Sequence, residues 1–293
     1  MKKPRVQQRT ERRISAALRL VLVAVLLVAQ IALVLFLSTV LKQRAALAYT
    51  ALELVAFVCA VYIWTKPGTT SYKVGWIFLI LTGISVVYGA FSACVQTDLK
   101  YINAYSSVSH CGLVLFAILM MNQTACTGAV LQMLSHGLMT ALFFALIGMI
   151  YGRTHTRDVR ELSGLMKIMP FLAVCYVIAG LANLGLPGLS GFIAEMTIFT
   201  GSFQHPDTFH RVWTVIACSS IVITAVYILR LVGKILYGTC TNKHHLTLSD
   251  ATWDERTAVI ILIACVAALG MAPWWISGMI GDSVLPITDL FTI

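Results

Sequence analysis

Long apolar runs follow one another along most of this 293-residue chain and constrain its fold more than any other feature. A helix needs about 20 apolar residues to cross the hydrocarbon core of a bilayer, and a segment inside the bilayer must satisfy its own backbone hydrogen bonds. We therefore predict an all-α polytopic membrane protein with about eight transmembrane helices. They cover residues 20–41, 45–64, 74–95, 105–121, 125–150, 168–203, 212–237 and 257–280.

The composition excludes a water-soluble domain, because 59% of the residues are hydrophobic and only 11% are charged, against about 25% charged residues in soluble proteins. The net charge of +9 is concentrated at the N-terminus, so residues 1–19 are expected to form a basic cytoplasmic tail. The rest of the chain has no basic face of the kind that binds nucleic acid. We expect the lipid bilayer as a partner, and no nucleic acid.

Cofactor and metal signatures are absent from the sequence. The eight cysteines are scattered singly, without a CxxC pair, which excludes a structural zinc site or an iron–sulfur cluster built on clustered ligands. A nucleophile elbow, a P-loop, GxGxxG and HExxH are absent too. We therefore expect no resident cofactor and no metal.

The apolar run 168–203 is too long for one straight helix, which would measure about 54 Å at 1.5 Å per residue, against a hydrocarbon core of about 30 Å. Its centre reads NLGLPGLSGF. Proline removes a backbone donor and glycine weakens a helix, so we predict a break between Gly185 and Gly191, which also contains Pro187 and Gly188. The run is either two crossings with a tight turn or one crossing made of two half-helices. Half-helices of this kind mark ion sites in transporters.

Basic residues favour the second alternative. They lie in three loops, around Lys100, across 153–167 and across 234–243, and the positive-inside rule places all three on the cytoplasmic side. All three loops lie on the cytoplasmic side only if the broken run crosses the membrane once. The basic tail, however, favours the opposite orientation for the spans before Lys100. Either one N-terminal span does not cross, or the two parts of the chain did not evolve as a unit.

Ionisable side chains within the spans are candidates for function, since their insertion costs about 2.5–3.5 kcal/mol. Two of them are His110 and His136, and an imidazole can accept a proton at one nitrogen while it donates at the other. Hydroxyl and amide side chains accompany both histidines. Ser106 lies one turn before His110, with Ser109 beside it, and Gln132 and Thr140 lie one turn before and after His136. The pattern suits a proton relay, and the alternative is a pair of neutral histidines bonded between helices.

Glu195 follows the predicted break by one turn, near the N-terminus of the second half-helix. The helix dipole favours a carboxylate there, whereas the low dielectric opposes ionisation. These opposing effects favour a carboxyl group that exchanges protons, and the alternative is a neutral acid that ties the broken backbone together. Lys100 is a further polar candidate, at the cytoplasmic boundary.

Three stretches resemble a known family: YGAFSACVQTDLKYINAYSSVSHCGLVLF, LQMLSHGLMTALFFALIGMIYGRTHTRDVRELSGLMKIMP and ANLGLPGLSGFIAEMTIF. Residues 82–293 are similar to the C-terminal transmembrane region of the antiporter-like subunit M (chain 4) of proton-translocating NADH:quinone oxidoreductase, complex I. The resemblance implies that His110 and His136 are relay histidines and that Glu195 is the terminal carboxylate of a half-channel. It also implies partner membrane subunits of complex I, which alone bind NADH and quinone.

The N-terminal segment, residues 20–81, resembles the membrane region of a phospholipase-D-type cardiolipin synthase, through LRLVLVAVLLVAQIALVLFL and ALELVAFVCAVYIWTKPGTTSYKVGWIFLIL. Its HxKxxxxD catalytic motif is absent, so cardiolipin synthase activity is not expected. The first inverted repeat of the antiporter-like family is missing. We therefore expect half of an antiporter-like fold, truncated or chimeric, with a seam near 81–83.

These observations predict a multi-pass protein of the bacterial inner membrane that translocates protons through a His/His/Glu half-channel. It would be a translocase subunit without a redox centre, driven by electron transfer in other subunits. Two interpretations compete with this one. The chain is either a subunit of a multisubunit cation/proton antiporter or membrane-bound hydrogenase, or a scaffold that keeps the fold without transport.

Overall fold

The computed structural model describes residues 69–240 and 243–288. The predicted tail, the first two predicted spans and the orientation of those spans lie outside these residues. Contacts divide the chain into two compact units, residues 1–78 and 79–293, and the second contains every candidate site residue. The helices are α1 (Thr69–Val95), α2 (Leu99–Leu119), α3 (Gln123–Thr154), α4 (Leu165–Ile168), α5 (Pro170–Asn183), α6 (Ser190–Gln204), α7 (Thr208–Leu236), α8 (Trp253–Met271) and α9 (Trp274–Thr288), with a 3₁₀ turn at Lys243–Thr247.

The described residues form helices and connecting turns without a β-strand, as the sequence predicts. Within them, four helices are long and apolar enough to cross a bilayer: α2, α3, α7 and residues 75–95 of α1. A fifth crossing results if α8 and α9 together form one span. The predicted number of about eight is therefore not confirmed for the described part of the chain.

The predicted single helix over 257–280 is wrong, because the chain bends by 71° between α8 and α9. Pro273 is the cause. A residue before proline is driven out of the helical region, and Ala272 accordingly has φ −129° and ψ 59°. The predicted run 168–203 is likewise two helices, α5 and α6, separated by residues 184–189.

Glycines allow α6 to pack closely against α3. A methyl group on Gly128 would lie 2.6 Å from the backbone nitrogen of Ile198, and one on Gly201 would lie 2.3 Å from that of Ala125. Small residues at such crossings are how membrane helices bring their backbones together. Hydrogen bonds can then form between the two helices, and the hydroxyls of Ser135 and Ser190 lie 2.7 Å apart.

The three basic loops meet at one end of the bundle, here called the basic end. The α3–α4 loop contacts the start of α2 through Leu99 N–H and Arg157 O, 3.0 Å apart, and the end of α7 through Ser163 Oγ and Thr239 O, also 3.0 Å apart. Since α5 starts at this end and α7 returns to it, α5 and α6 together make one passage through the bundle. That is the arrangement favoured by the basic residues.

Hydrogen bonds from one arginine connect the ends of several helices at the basic end. Arg153, in the last turn of α3, donates to both carboxylate oxygens of Glu255 in α8 and to the carbonyl oxygens of Ser249 and Asp250. The Asp250 carboxylate accepts from the backbone N–H of Phe171, 2.8 Å away, in the first turn of α5. One loop thus ties α3, α5 and α8 together.

Replacing Arg153 by methionine should destabilise the protein by about 2 kcal/mol, since charged hydrogen bonds contribute about 1.5–3 kcal/mol and Glu255 would lose its partner. Thermal unfolding in detergent measures the change. Arg160→Met is the matched control at the same end of the bundle. Arg160 lowers the pKa of Asp158 to about 2, but this pair is exposed and should contribute little. Equal unfolding midpoints for the two variants would contradict the assigned role of Arg153.

Candidate functional site

A layer of buried polar side chains separates two apolar clusters of the second unit. On α2, Leu99 and Ile102 belong to one cluster, and Leu113, Val114, Phe116 and Ala117 belong to the other. On α3, Ala125 and Ala129 belong to the second cluster, and the first resumes at 139. The buried polar residues between them on these two helices are Asn103, Ser106, Ser109, His110, Gln132 and Ser135.

His110 is the most connected side chain of this layer. Its Nε2 lies 2.6 Å from Asn183 Oδ1, at the end of α5, and its Nδ1 lies 3.0 Å from Gln132 Nε2 on α3. An amide oxygen only accepts and an amide nitrogen only donates. These two contacts fit the neutral imidazole whose hydrogen is on Nε2 and whose Nδ1 lone pair accepts from Gln132.

His136 lies beside His110, with ring centroids 5.0 Å apart and ring planes tilted by 35°. The hydroxyl of Thr140, one turn further along α3, lies 3.2 Å from His136 Nε2. Gln132, one turn before, binds His110 instead. The two polar residues predicted to flank His136 thus contact different histidines, and both imidazoles lie in one cluster.

Glu195 is buried in α6 and completes the cluster. Its Oε1 lies 3.7 Å from His110 Nδ1, which is too long for a direct hydrogen bond. A cavity of about 10 Å³ adjoins both side chains and is also lined by Asn183, Ser220 and Thr224. A single water needs about 10–15 Å³, so one water fits beside the carboxyl group and the imidazole.

The helix break positions Glu195. Gly185 and Gly188 have φ of 67° and 92°, a left-handed conformation that side chains other than glycine rarely adopt. A methyl group on Gly185 would lie 2.8 Å from Glu195 Oε2. The predicted break residues Gly185, Pro187 and Gly188 lie in the non-helical segment, whereas Gly191 belongs to α6, where it packs against the carbonyl oxygen of Ala182.

The other predicted residues take different places. Ser106 accepts hydrogen bonds from Asn183 and Tyr227 and belongs to the layer. Ser109 donates to the carbonyl oxygen of Val86, 2.7 Å away, and so joins α2 to α1. Lys100 is exposed in the first turn of α2, ten residues or about 15 Å from His110 along the helix. It does not join the cluster.

Two residues of the layer, Asn183 and Tyr227, were not singled out from the sequence. Asn183 is a polar residue directly before the break, a signal that sequence reasoning could have used. Tyr227 lies in the apolar helix α7, where nothing distinguishes its hydroxyl from a packing aromatic. Among residues 69–240 and 243–288, no three histidine, cysteine, aspartate or glutamate side chains are grouped to hold a metal ion.

A sequence profile of the family described as "NADH:quinone oxidoreductase/Mrp antiporter, TM" matches residues 8–224, well over half of the chain. The chain belongs to this family. The matched range contains His110, His136, Glu195 and the break, and it also includes the whole N-terminal segment, residues 20–81. The resemblance of residues 20–81 to a cardiolipin synthase stays a prediction.

Two curated members of this antiporter family show how much of a relative the chain covers. The NAD(P)H-quinone oxidoreductase chain 4 1 of Synechococcus elongatus is 38% identical over 67% of this chain and 37% of its own length. The NADH-quinone oxidoreductase subunit M of Rhodobacter capsulatus is 36% identical over 70% of this chain and 39% of its own. The chain thus spans about two fifths of the length of these relatives.

The fold of this family member also matches a solved structure. A chain of respiratory complex I from Thermus thermophilus superposes with a TM-score of 0.71, at 22% identity, over 81% of this chain and 51% of that chain. The family assignment and the apolar helices together establish an integral membrane protein with an antiporter-like fold.

Gly185→Ala should displace the Glu195 carboxyl group as well as strain the backbone, because the new methyl group meets Oε2. Gly188→Ala is the matched control: it has the same left-handed strain, but a methyl group there has no heavy atom within 4 Å. Both variants should lose about 1–2 kcal/mol of unfolding free energy and should therefore unfold at a lower temperature. Only Gly185→Ala should change the reaction rate of Glu195 with a hydrophobic carbodiimide. Equal rates in the two variants would contradict the assigned contact.

Proposed function

We propose that this chain is a membrane subunit of a proton-translocating NADH:quinone oxidoreductase and that it conducts protons along His136, His110 and Glu195. The two curated relatives support the type of assembly. One observation carries the route. His110 lies beside the His136 ring and 3.7 Å from the Glu195 carboxyl group, with which it lines one water-sized cavity, inside a layer buried between two apolar clusters.

The proton step follows from the tautomer of His110. Its Nε2 already carries a hydrogen, so a proton released when an N–H bond of protonated His136 breaks binds at Nδ1 and replaces the hydrogen bond from Gln132. The resulting imidazolium is stabilised when the neighbouring Glu195 carboxyl group is ionised. The Nδ1–H bond then breaks and an O–H bond forms on that carboxylate, with a water in the adjoining cavity as carrier. His110 returns to its neutral form, and the carboxylic acid loses its proton to water before the next transfer.

In this proposal the redox chemistry belongs to other subunits. Partner membrane subunits bind NADH and quinone, and electron transfer there supplies the energy for moving the proton against a gradient. The assembly lies in the bacterial inner membrane, with the basic end of the bundle in the cytoplasm according to the positive-inside rule. The contribution of this chain is a path whose groups exchange protons without a metal or cofactor of their own.

A second candidate is a subunit of a multisubunit cation/proton antiporter, because the family description also includes Mrp antiporters. The same cluster would then move protons in exchange for a metal cation. A sodium gradient across the membrane separates the two candidates, since only the antiporter uses it as a driving force. A scaffold that keeps the fold without transport is the third candidate.

Glu195→Gln should lower proton flux at least about tenfold, because the amide keeps the shape of the side chain but cannot bind and release a proton. The full chain is reconstituted into liposomes with a trapped pH-sensitive dye, and a potassium diffusion potential drives protons inward. Glu161→Gln is the control, since Glu161 lies exposed in the α3–α4 loop, outside the buried layer, and accepts from the Thr156 hydroxyl. Its flux should equal that of the unmodified protein.

Three outcomes distinguish the candidates. Normal flux in Glu195→Gln contradicts the proposed route. Flux driven by an imposed sodium gradient favours the antiporter over the oxidoreductase subunit. Flux no higher than in empty liposomes, from protein that is folded and inserted, favours the scaffold.

A further inference from the structure

A cavity of about 300 Å³ lies at the basic end of the bundle, where the end of α1, the start of α2, the α3–α4 loop and the last turns of α7 meet. It is here called the vestibule, and its polar and charged lining includes Gln96, Thr97, Arg230 and Lys234. Small-ligand sites in proteins have volumes of about 300–1,000 Å³. The vestibule is therefore large enough to bind the polar part of a ligand.

Two cations line the vestibule without a negative charge opposite them. Arg230 and Lys234 are one turn apart on α7, so they lie on the same face of that helix. No described residue in the lining carries a carboxylate. Within residues 69–240 and 243–288, neither cationic side chain forms an ion pair or a hydrogen bond.

The carboxylates near the rim of the vestibule are bound by other arginines. Arg157 Nε lies 3.4 Å from Asp98 Oδ2, and Arg160 forms an ion pair of 2.6 Å with Asp158. The hydrogen bonds from Arg160 are the main cause of the lowered pKa of Asp158, and Lys234 contributes least to it. The two positive charges of the vestibule are thus left for a ligand that is an anion.

The donors of the vestibule suit a phosphate group. A guanidinium group binds two phosphate oxygens with parallel hydrogen bonds, and an ammonium group adds a compact positive charge. The Gln96 amide and the Thr97 hydroxyl are neutral donors in the same lining. A phosphate has enough acceptor oxygens to bind several of these groups together.

Apolar surface beside the cations indicates that the phosphate belongs to a lipid. Val95, Ile102 and Leu231 line the vestibule next to the charged groups. One turn away from the basic end, α1 exposes Phe91 and α7 exposes Val226. A free phosphate ion would leave this surface uncovered, whereas an acyl chain would cover it and gain the free energy of apolar burial.

We propose that the vestibule binds an anionic phospholipid from the leaflet at the basic end, with its phosphate on Arg230 and Lys234 and an acyl chain along Phe91 and Val226. Basic pockets between membrane helices on the cytoplasmic side are suited to such headgroups. A zwitterionic lipid fits less well, because its own ammonium group would be repelled by the two cations. The site does not depend on the proposed function, since lipid binding needs no proton transport.

Native mass spectrometry of the full chain in a neutral detergent tests the site by titration with phosphatidylglycerol. The double variant Arg230→Gln/Lys234→Gln should bind this lipid at least about tenfold more weakly, because both charged contacts to the phosphate are lost. Lys100→Gln/Lys167→Gln is the matched control. It removes the same charge from two exposed side chains at the same end, outside the vestibule, and should bind normally. Equal affinities of the two double variants would overturn the site.

A variant that exchanges the two cations separates loss of charge from loss of structure. Arg230→Lys/Lys234→Arg keeps one guanidinium and one ammonium group on the same face of α7, so it should bind phosphatidylglycerol nearly as well as the unmodified protein. If the exchanged variant binds as weakly as Arg230→Gln/Lys234→Gln, the charges do not hold the lipid and the proposal is wrong.

Two further ligands identify the source of the phosphate. Phosphatidylcholine should bind at least about tenfold more weakly than phosphatidylglycerol, and equal binding of the two would contradict an anion site. Inorganic phosphate at the same concentration should not displace phosphatidylglycerol. Displacement by inorganic phosphate would assign the vestibule to a soluble ion and would overturn the lipid.

Cysteine protection locates the bound lipid independently of the charge variants. Cys94 lines the vestibule, so in a variant that keeps only this cysteine of the eight, phosphatidylglycerol should slow the reaction with N-ethylmaleimide and phosphatidylcholine should not. The matched variant keeps only Cys265, which is exposed on α8 outside the vestibule, and its rate should be the same with both lipids. If phosphatidylglycerol binds without protecting Cys94, the lipid lies elsewhere and the proposal fails.

Discussion

The hydrogen bond between His110 and Asn183 is the contact on which the rest of the polar layer depends. Inside a bilayer a polar group cannot hydrogen-bond to bulk water, so a buried donor needs an acceptor in the protein interior. Asn183 meets this need because it ends α5: its oxygen accepts from the imidazole and its nitrogen donates to Ser106. These two bonds join α5 to α2, and they leave Nδ1 of His110 as the basic nitrogen on the side of Glu195.

Backbone geometry creates the position for this contact. The chain leaves the helical conformation at Gly185 and Gly188, with positive φ at both, and the absence of a side chain at Gly191 lets α6 start against the end of α5. Gly128 on α3 allows α6 to approach from the other side. Glu195 is thereby brought within 3.7 Å of His110. The chemistry of the carboxyl group depends on contacts that only residues without a side chain permit.

The two apolar clusters enclose the polar layer on both sides. Its buried side chains therefore contact one another rather than bulk solvent. At the basic end, the loops and the Arg153 contacts hold the ends of α3, α5 and α8 in register.

Three local properties can be read from the sequence alone: the length of an apolar run, the cost of burying a charge, and the helix-breaking effect of proline and glycine. They predicted the all-α membrane fold, the break around Pro187 and the candidate residues His110, His136 and Glu195. Only the tertiary structure decided that Asn183 and Tyr227 belong to the same layer, that Lys100 does not, and that Pro273 divides the last span. The physical reason is that a hydrogen bond between helices depends on which faces meet. Residues such as Ser106 and Tyr227 are 121 positions apart in the chain, and no periodicity of either helix shows that they touch.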